Sequence, residues 1–194
     1  MSPSSGWDDV RRHDPPHETV TLEDYRRRHA QYKTDPDLQS AHAIAPWLVV
    51  WDDHEVDNNW AGGIPQDTKA PEWNDTPERF LARRANAFRA YYENMPLRRS
   101  SIPSGPDMRI FRRLSWGRLA NFHMLDTRQY RDDQVGNDKV PATDPENRNP
   151  ARSLTGAEQE RWLLDGLHAS RARWDVLGQQ VMFAPIDYDP TEAA

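Results

Sequence analysis

The chain has no cysteine. That excludes disulfides, thiolate metal sites and a cysteine nucleophile within these residues, and says little about compartment. Aliphatic side chains are scarce: Leu, Ile, Val and Phe together make up about a sixth of the 194 residues, a level at which charged chains begin to resemble disordered ones. No apolar run is long enough to span a bilayer and no cleavable leader is visible, so a soluble chain with no membrane partner is expected. Basic residues form no block. The 25 Lys and Arg are scattered among 31 Asp and Glu, for a formal charge of −6. That argues against a nucleic-acid-binding surface, which needs a concentrated basic patch.

Eight tryptophans stand against these shortages. Each such ring removes on the order of 200 Å² from water when buried, so a folded, core-poor chain is expected. Residues 1–20 are rich in Ser, Pro and charge and read as an irregular N-terminal segment. Thr21 then offers an N-cap with Asp24 three positions on, ahead of a helix with Leu22, Tyr25, His29 and Tyr32 on one face. Asp35 and Pro36 start a second helix through Ala45, with His42 on its apolar face. The unbroken run Trp47 to Trp51 predicts a strand buried on both faces, and with the helix before it half of a βαβ-type unit.

A third helix begins at Asp75 or Thr76 with Pro77 and carries Phe80, Leu81, Ala85, Phe88 and Tyr92 on one stripe. Residues 108–125 predict two strands joined by a turn at Ser115 to Gly117, the second ending in Asp126. Residues 134–152 read as a Pro- and Asn-rich loop, and a fourth helix starts at a Thr155 cap with Trp162, Leu163 and Leu167 on one face. Residues 174–184 predict a buried strand, and 187–194 a loose end to a domain spanning 21–186. The class implied is α/β.

"WDDHEVDNNW", Trp51 to Trp60, follows the predicted strand directly. Ligands of open α/β sheets bind just beyond strand carboxyl ends, which makes this a site loop. It is not a zinc-protease helix, because Asn58 stands where the second histidine of His-Glu-x-x-His is required. Nor is it a calcium hand, because Asn58 replaces the turn glycine and Ile64 the bidentate glutamate. "DDHE" does resemble the acid-or-amide plus histidine block of dinuclear metallophosphoesterases, in which one side chain ligates a metal and the imidazole faces the phosphoryl group.

The segments "LQSAHAIAPWLVVWDDHEVDNNWAG", "AYYENMPLR", "FHMLDTRQYRDDQ", "LTGAEQERWLLDGL" and "WDVLGQQVMFA", in that order, resemble the central part of the alkaline phosphatase D (PhoD-like) family of metallophosphatases. The resemblance implies a fold of two packed sheets flanked by helices, and hydrolysis of phosphate monoesters and diesters by a metal-activated hydroxide with iron and calcium. Members are typically exported to the periplasm or outside the cell. The family's upstream Gly-Asp-x-x-Tyr block, its iron-ligating cysteine and its downstream Gly-Asp-x-His block have no counterpart here, so the resemblance implies a middle segment of an enzyme. The alternatives are a non-catalytic metal- or phosphate-binding fragment and a purely structural module. Strands left uncovered in such a segment imply self-association.

Each candidate has a bland reading beside the sharp one. Asp53, and with it Asp52, is a metal ligand or a solvated loop acid. His54 stabilises the leaving oxygen or orients phosphate, or is structural, with Glu55 as its acceptor. Asp57, Asn58 and Asn59 divide between the ligand surroundings and loop capping, since Asx side chains readily bond their own backbone. Trp51 and Trp60 pack the loop. Asp126, Arg128 and Arg131 offer an Arg fork for phosphate or an internal Asp–Arg pair. His42 and His123 read as core or interface histidines, and Arg26 to Arg28 and Arg83-Arg84 as solvated faces.

Overall fold

The computed structural model describes residues 12–65, 76–138 and 144–183. Among these lie four α-helices, α1 (Leu22–Lys33), α2 (Pro36–Ile44), α3 (Pro77–Asn94) and α4 (Gly156–Ala169), and three strands, β1 (Arg112–Trp116), β2 (Ala120–Met124) and β3 (Trp174–Gly178). Residues 1–11 of the irregular segment predicted at 1–20, and the loose end predicted at 187–194, lie outside the described residues.

The helix starts follow local chemistry. Thr21 accepts from the Asp24 N–H while Asp24 reaches back to the Thr21 N–H, closing a capping box. Asp35 accepts from Asp37 and Leu38 ahead of α2, and Thr76 accepts from Arg79 ahead of α3. At α4 the expected Thr155 cap does not form. Ser153 Oγ instead accepts from the Gly156 N–H at 2.7 Å.

β1 and β2 pair antiparallel with Arg112 opposite Met124, and β2 pairs parallel with β3, Phe122 opposite Val176. The order is β1-β2-β3. Parallel neighbours need a crossover, and α4 lies in it. The βαβ unit is therefore β2-α4-β3 and not the unit expected around residues 36–51. The run Trp47 to Trp51 forms no strand, and Trp47 and Leu48 are exposed. Apolar composition suits a strand, but a ladder also needs a neighbour. Here side chains take the carbonyls: Arg112 Nη2 donates to Val49 O at 2.9 Å and Gln180 Nε2 to Trp51 O. β3 is shorter than predicted and exposed on both faces, with Trp174, Val176 and Leu177 all open.

The core sits on α3 rather than on the sheet. Tyr25, Trp51, Val56, Trp60, Phe80, Phe88, Tyr91, Met108 and Ile110 form one cluster. Trp51 stacks on Phe88 with ring centroids 4.2 Å apart, so two tryptophans that bracket the acidic loop anchor its ends in the core. The inward stripe of α3 also takes Tyr91, Arg83 and Arg84, while the predicted Tyr92 packs partly buried against the core. The reading of that arginine pair as a solvated face is thus wrong: each guanidinium finds carbonyl and carboxylate partners that only the folded chain brings to it. No described helix is long and apolar enough to cross a membrane.

Candidate functional site

Residues 52–60 form a tight turn whose polar groups point to fixed partners. Asp53 O accepts from the N–H groups of Val56 and Asp57, both at 2.9 Å, coiling the backbone through one turn. The Asp53 carboxylate closes the turn on the other side, Oδ1 accepting from the His54 N–H and Oδ2 from the Asn59 N–H, each at 2.9 Å. Asn59 adopts φ 53°, a left-handed conformation that asparagine tolerates better than most residues. Burial pushes the Asp53 carboxyl up, but the Asn59 N–H, the Arg128 charge and His54 overcome it and hold the group below the ordinary aspartate range. Asp53 is thus an anionic acceptor at neutral pH.

Arg128, just after β2, fastens the loop from one side. Its Nε donates to Asp52 Oδ1 at 2.7 Å and its Nη1 to Asn59 Oδ1 at 3.0 Å, while Nη2 lies 3.9 Å from Asp53 Oδ2. The internal Asp–Arg pair therefore exists, but between Arg128 and Asp52. Asp126 is not its partner. That wholly buried carboxylate accepts from Trp51 Nε1 at 3.1 Å, from the N–H groups of Arg128 and Gln129 at 2.9 Å, and from Gln129 Nε2 at 3.2 Å. Burial raises its pKa, and those donors act the other way. Arg131 lines a cleft of about 240 Å³ with Asp132, Asp133, Gln134 and Arg152. Gln134 joins that cleft to the loop, donating to Asn59 O at 3.0 Å.

Glu55 does not accept from His54. Its Oε2 accepts from the Asp52 N–H at 2.8 Å, and burial raises its pKa. Asp57 is buried against Arg83 Nη1 at 3.0 Å, with its pKa raised by burial. Asn58 is exposed. Val56 O accepts from Tyr25 Oη at 2.6 Å. His54 differs from the bonded acids: its side chain is 68% exposed, and its Nε2 stands 3.9 Å from Asp53 Oδ2. The loop is therefore fixed on every side and presents one imidazole, backed by one carboxylate, to solvent.

The other histidines lie elsewhere. His123 is buried in β2, where Nδ1 accepts from Arg113 Nε at 3.1 Å and Nε2 meets Asp175 Oδ1 at 2.8 Å. His42 is half-buried and stacks on Trp47 at 4.1 Å. Sequence reasoning missed Arg83, Tyr25 and Gln134 as partners of the loop, and no local pattern marks them.

Iron and calcium can be tested against these donors. Asp53 suits a cation, since a carboxylate has about four acceptor sites and two are used here. His54 adds an exposed nitrogen beside it. Arg128 opposes a cation at the same place, and Asp52 is committed to that guanidinium. Among the described residues no group of three His, Asp or Glu side chains is placed to hold an ion. The donors present fit part of a cation site and not a closed cage.

The model of a family described as PhoD-like phosphatase matches residues 2–194. The sequence is 54% identical over 167 residues to alkaline phosphatase D of Bacillus subtilis (strain 168), covering 86% of this chain and 28% of that protein. A solved structure described as "Structure of PhoD" matches with a TM-score of 0.79 at 54% identity, covering 86% of this chain and 31% of that one. The chain thus spans less than a third of the length of these relatives.

Proposed function

The chain belongs to the PhoD-like phosphatase family, and from that premise we propose that it acts in hydrolysis of phosphate mono- and diesters, with the 52–60 loop as its contribution to the reaction centre. The observation that carries this is the contrast within the loop: Asp52, Asp53, Glu55, Asp57 and Asn59 are all bound to protein partners, whereas the His54 imidazole is presented to solvent beside an anionic acceptor. In that position the imidazole hydrogen-bonds a phosphoryl oxygen or donates a proton to the leaving oxygen as its bond to phosphorus breaks, with the Asp53 charge beside it. Arg128 and Arg83 keep the loop from moving as charge develops, which preserves the preorganisation such catalysis depends on.

Asp53 is the group here that would hold iron or calcium, with further ligands from outside the described residues. Such ions would supply Lewis-acid charge neutralisation and a nucleophile usable near neutral pH. The three-stranded sheet belongs, on this reading, to one layer of a two-sheet sandwich, and the enzyme works outside the cytoplasm.

The test is a transplant. These residues replace the matching segment of the Bacillus subtilis relative, and the chimera is assayed on aryl phosphate mono- and diesters with iron and calcium supplied. Hydrolysis by the chimera is expected. A folded chimera with no turnover contradicts the proposal.

A further inference from the structure

Arg83, in the second turn of α3, has a side chain wholly shielded from water. A buried guanidinium is an expensive filler, since an apolar side chain of similar volume would carry no such desolvation cost. Packing does not account for the charge. Its bonds do. Nη1 donates to Asp57 at 3.0 Å, Nη2 to Glu18 at 2.8 Å, and Nε to both Thr19 O at 3.1 Å and Tyr25 Oη at 3.0 Å. Tyr25 Oη in turn donates to Val56 O at 2.6 Å. One side chain therefore controls two successive residues of the loop, Asp57 directly and Val56 through the phenol, and ties both to the segment ahead of α1.

These residues close the turn that opens at Asp53, and His54 lies between the two ends. Arg128 holds the same turn at Asp52 and Asn59. Two guanidinium groups, from α3 and from the segment that follows β2, thus grip the loop at separate points. We infer that Arg83 is a positioning residue for His54, acting through Asp57 and Tyr25 and touching no substrate itself. The catalytic half of this rests on the reading of His54 given under Proposed function, whereas the ordering of the loop does not.

Hydrogen exchange read by mass spectrometry on the 194-residue chain tests the ordering. Arg83→Met alone would strand the buried Asp57 and is the variant more prone to unfold, so it is paired with Arg83→Met/Asp57→Leu, which leaves no buried ion unmatched. In the double variant, peptides covering residues 53–59 are expected to exchange about tenfold faster, with those of α1 and α3 unchanged. The His54 ring resonance is expected to broaden relative to the unaltered chain. Unchanged loop exchange overturns the inference. So does a double variant that unfolds or loses protection equally in α1, α3 and the loop, because Arg83 then holds the whole fold.

In the chimera the same double variant is expected to lower kcat with KM little altered. If His54→Ala leaves kcat intact while loop exchange responds as expected, the functional reading fails and the ordering stands. If His54→Ala abolishes turnover while loop exchange is unmoved, the Arg83 inference fails alone.

Discussion

Replacing Asp126 by alanine is expected to cost more stability than any other single change near the loop. The carboxylate is completely buried and accepts from Trp51 Nε1, from two backbone N–H groups and from Gln129 Nε2. Truncation leaves at least three buried donors without their acceptor. Each such donor costs about 1–3 kcal/mol, so a loss of about 3–6 kcal/mol is expected, tempered where water enters the space. That is a large part of the 5–15 kcal/mol typical of a domain. Asp126→Asn keeps one acceptor but turns an amide toward Gln129 Nε2, and should cost roughly 1–2 kcal/mol. Urea unfolding at pH 7, followed by circular dichroism and by tryptophan fluorescence, measures both. The loss reaches the loop as well, because Trp51 precedes Asp52 and the Arg128 backbone carries the guanidinium that binds it. An alanine variant within about 1 kcal/mol of the parent would refute the reasoning, since it would mean these donors are not dependent on Asp126.

Burial, with Lys33 nearby, pushes the His29 imidazole down to about 4. Its neutral form is the one the fold accommodates, so the stability it contributes is complete above pH 6.5 and falls as pH drops toward 4; His29→Gln should flatten the urea midpoint between pH 6.5 and 5 relative to the parent, and equal slopes would contradict this. Gly166→Ala ought to gain about 1 kcal/mol of helix propensity. It should nevertheless destabilise in thermal melts, because its Cβ would fall 1.5 Å from Arg113 Nη2, a group already committed to Trp162 O and, through Nε, to His123. Among the described residues β3 is an open edge with Trp174, Val176 and Leu177 exposed, and we propose that it drives self-association. Light scattering should show mass rising with concentration and falling back in Val176→Lys; a monomer at all concentrations would contradict it.

What the sequence made legible was local. Thr21 with Asp24, Asp35 with Pro36, and Thr76 with Pro77 specify helix starts through bonds spanning three residues, and each forms. The hairpin was legible because Gly117 punctuates alternating residues, although its turn lies just beyond the predicted place. Trp47 to Trp51 was misread because its apolar run cannot reveal whether a neighbouring strand exists. Arg83 and Arg84 were misread for a related reason: a charge looks solvated until partners such as Glu18, Asp57 and Pro106 O, distant in sequence, come to it. The acidic loop stood out from composition alone, but the use of each acid did not. Asp52 goes to Arg128, Glu55 to a backbone N–H and Asp57 to Arg83, assignments that depend on tertiary contacts.

The most direct measurement is steady-state hydrolysis of an aryl phosphate by the chimera carrying this segment, with His54→Ala compared against Asn58→Ala, its exposed neighbour. Loss of a group that transfers a proton in the transition state is expected to lower kcat by about 10²–10⁴ with KM little changed, while Asn58→Ala stays near the parent. A His54→Ala chimera that turns over at the parent rate would contradict the account, leaving the loop as scaffold rather than reaction centre.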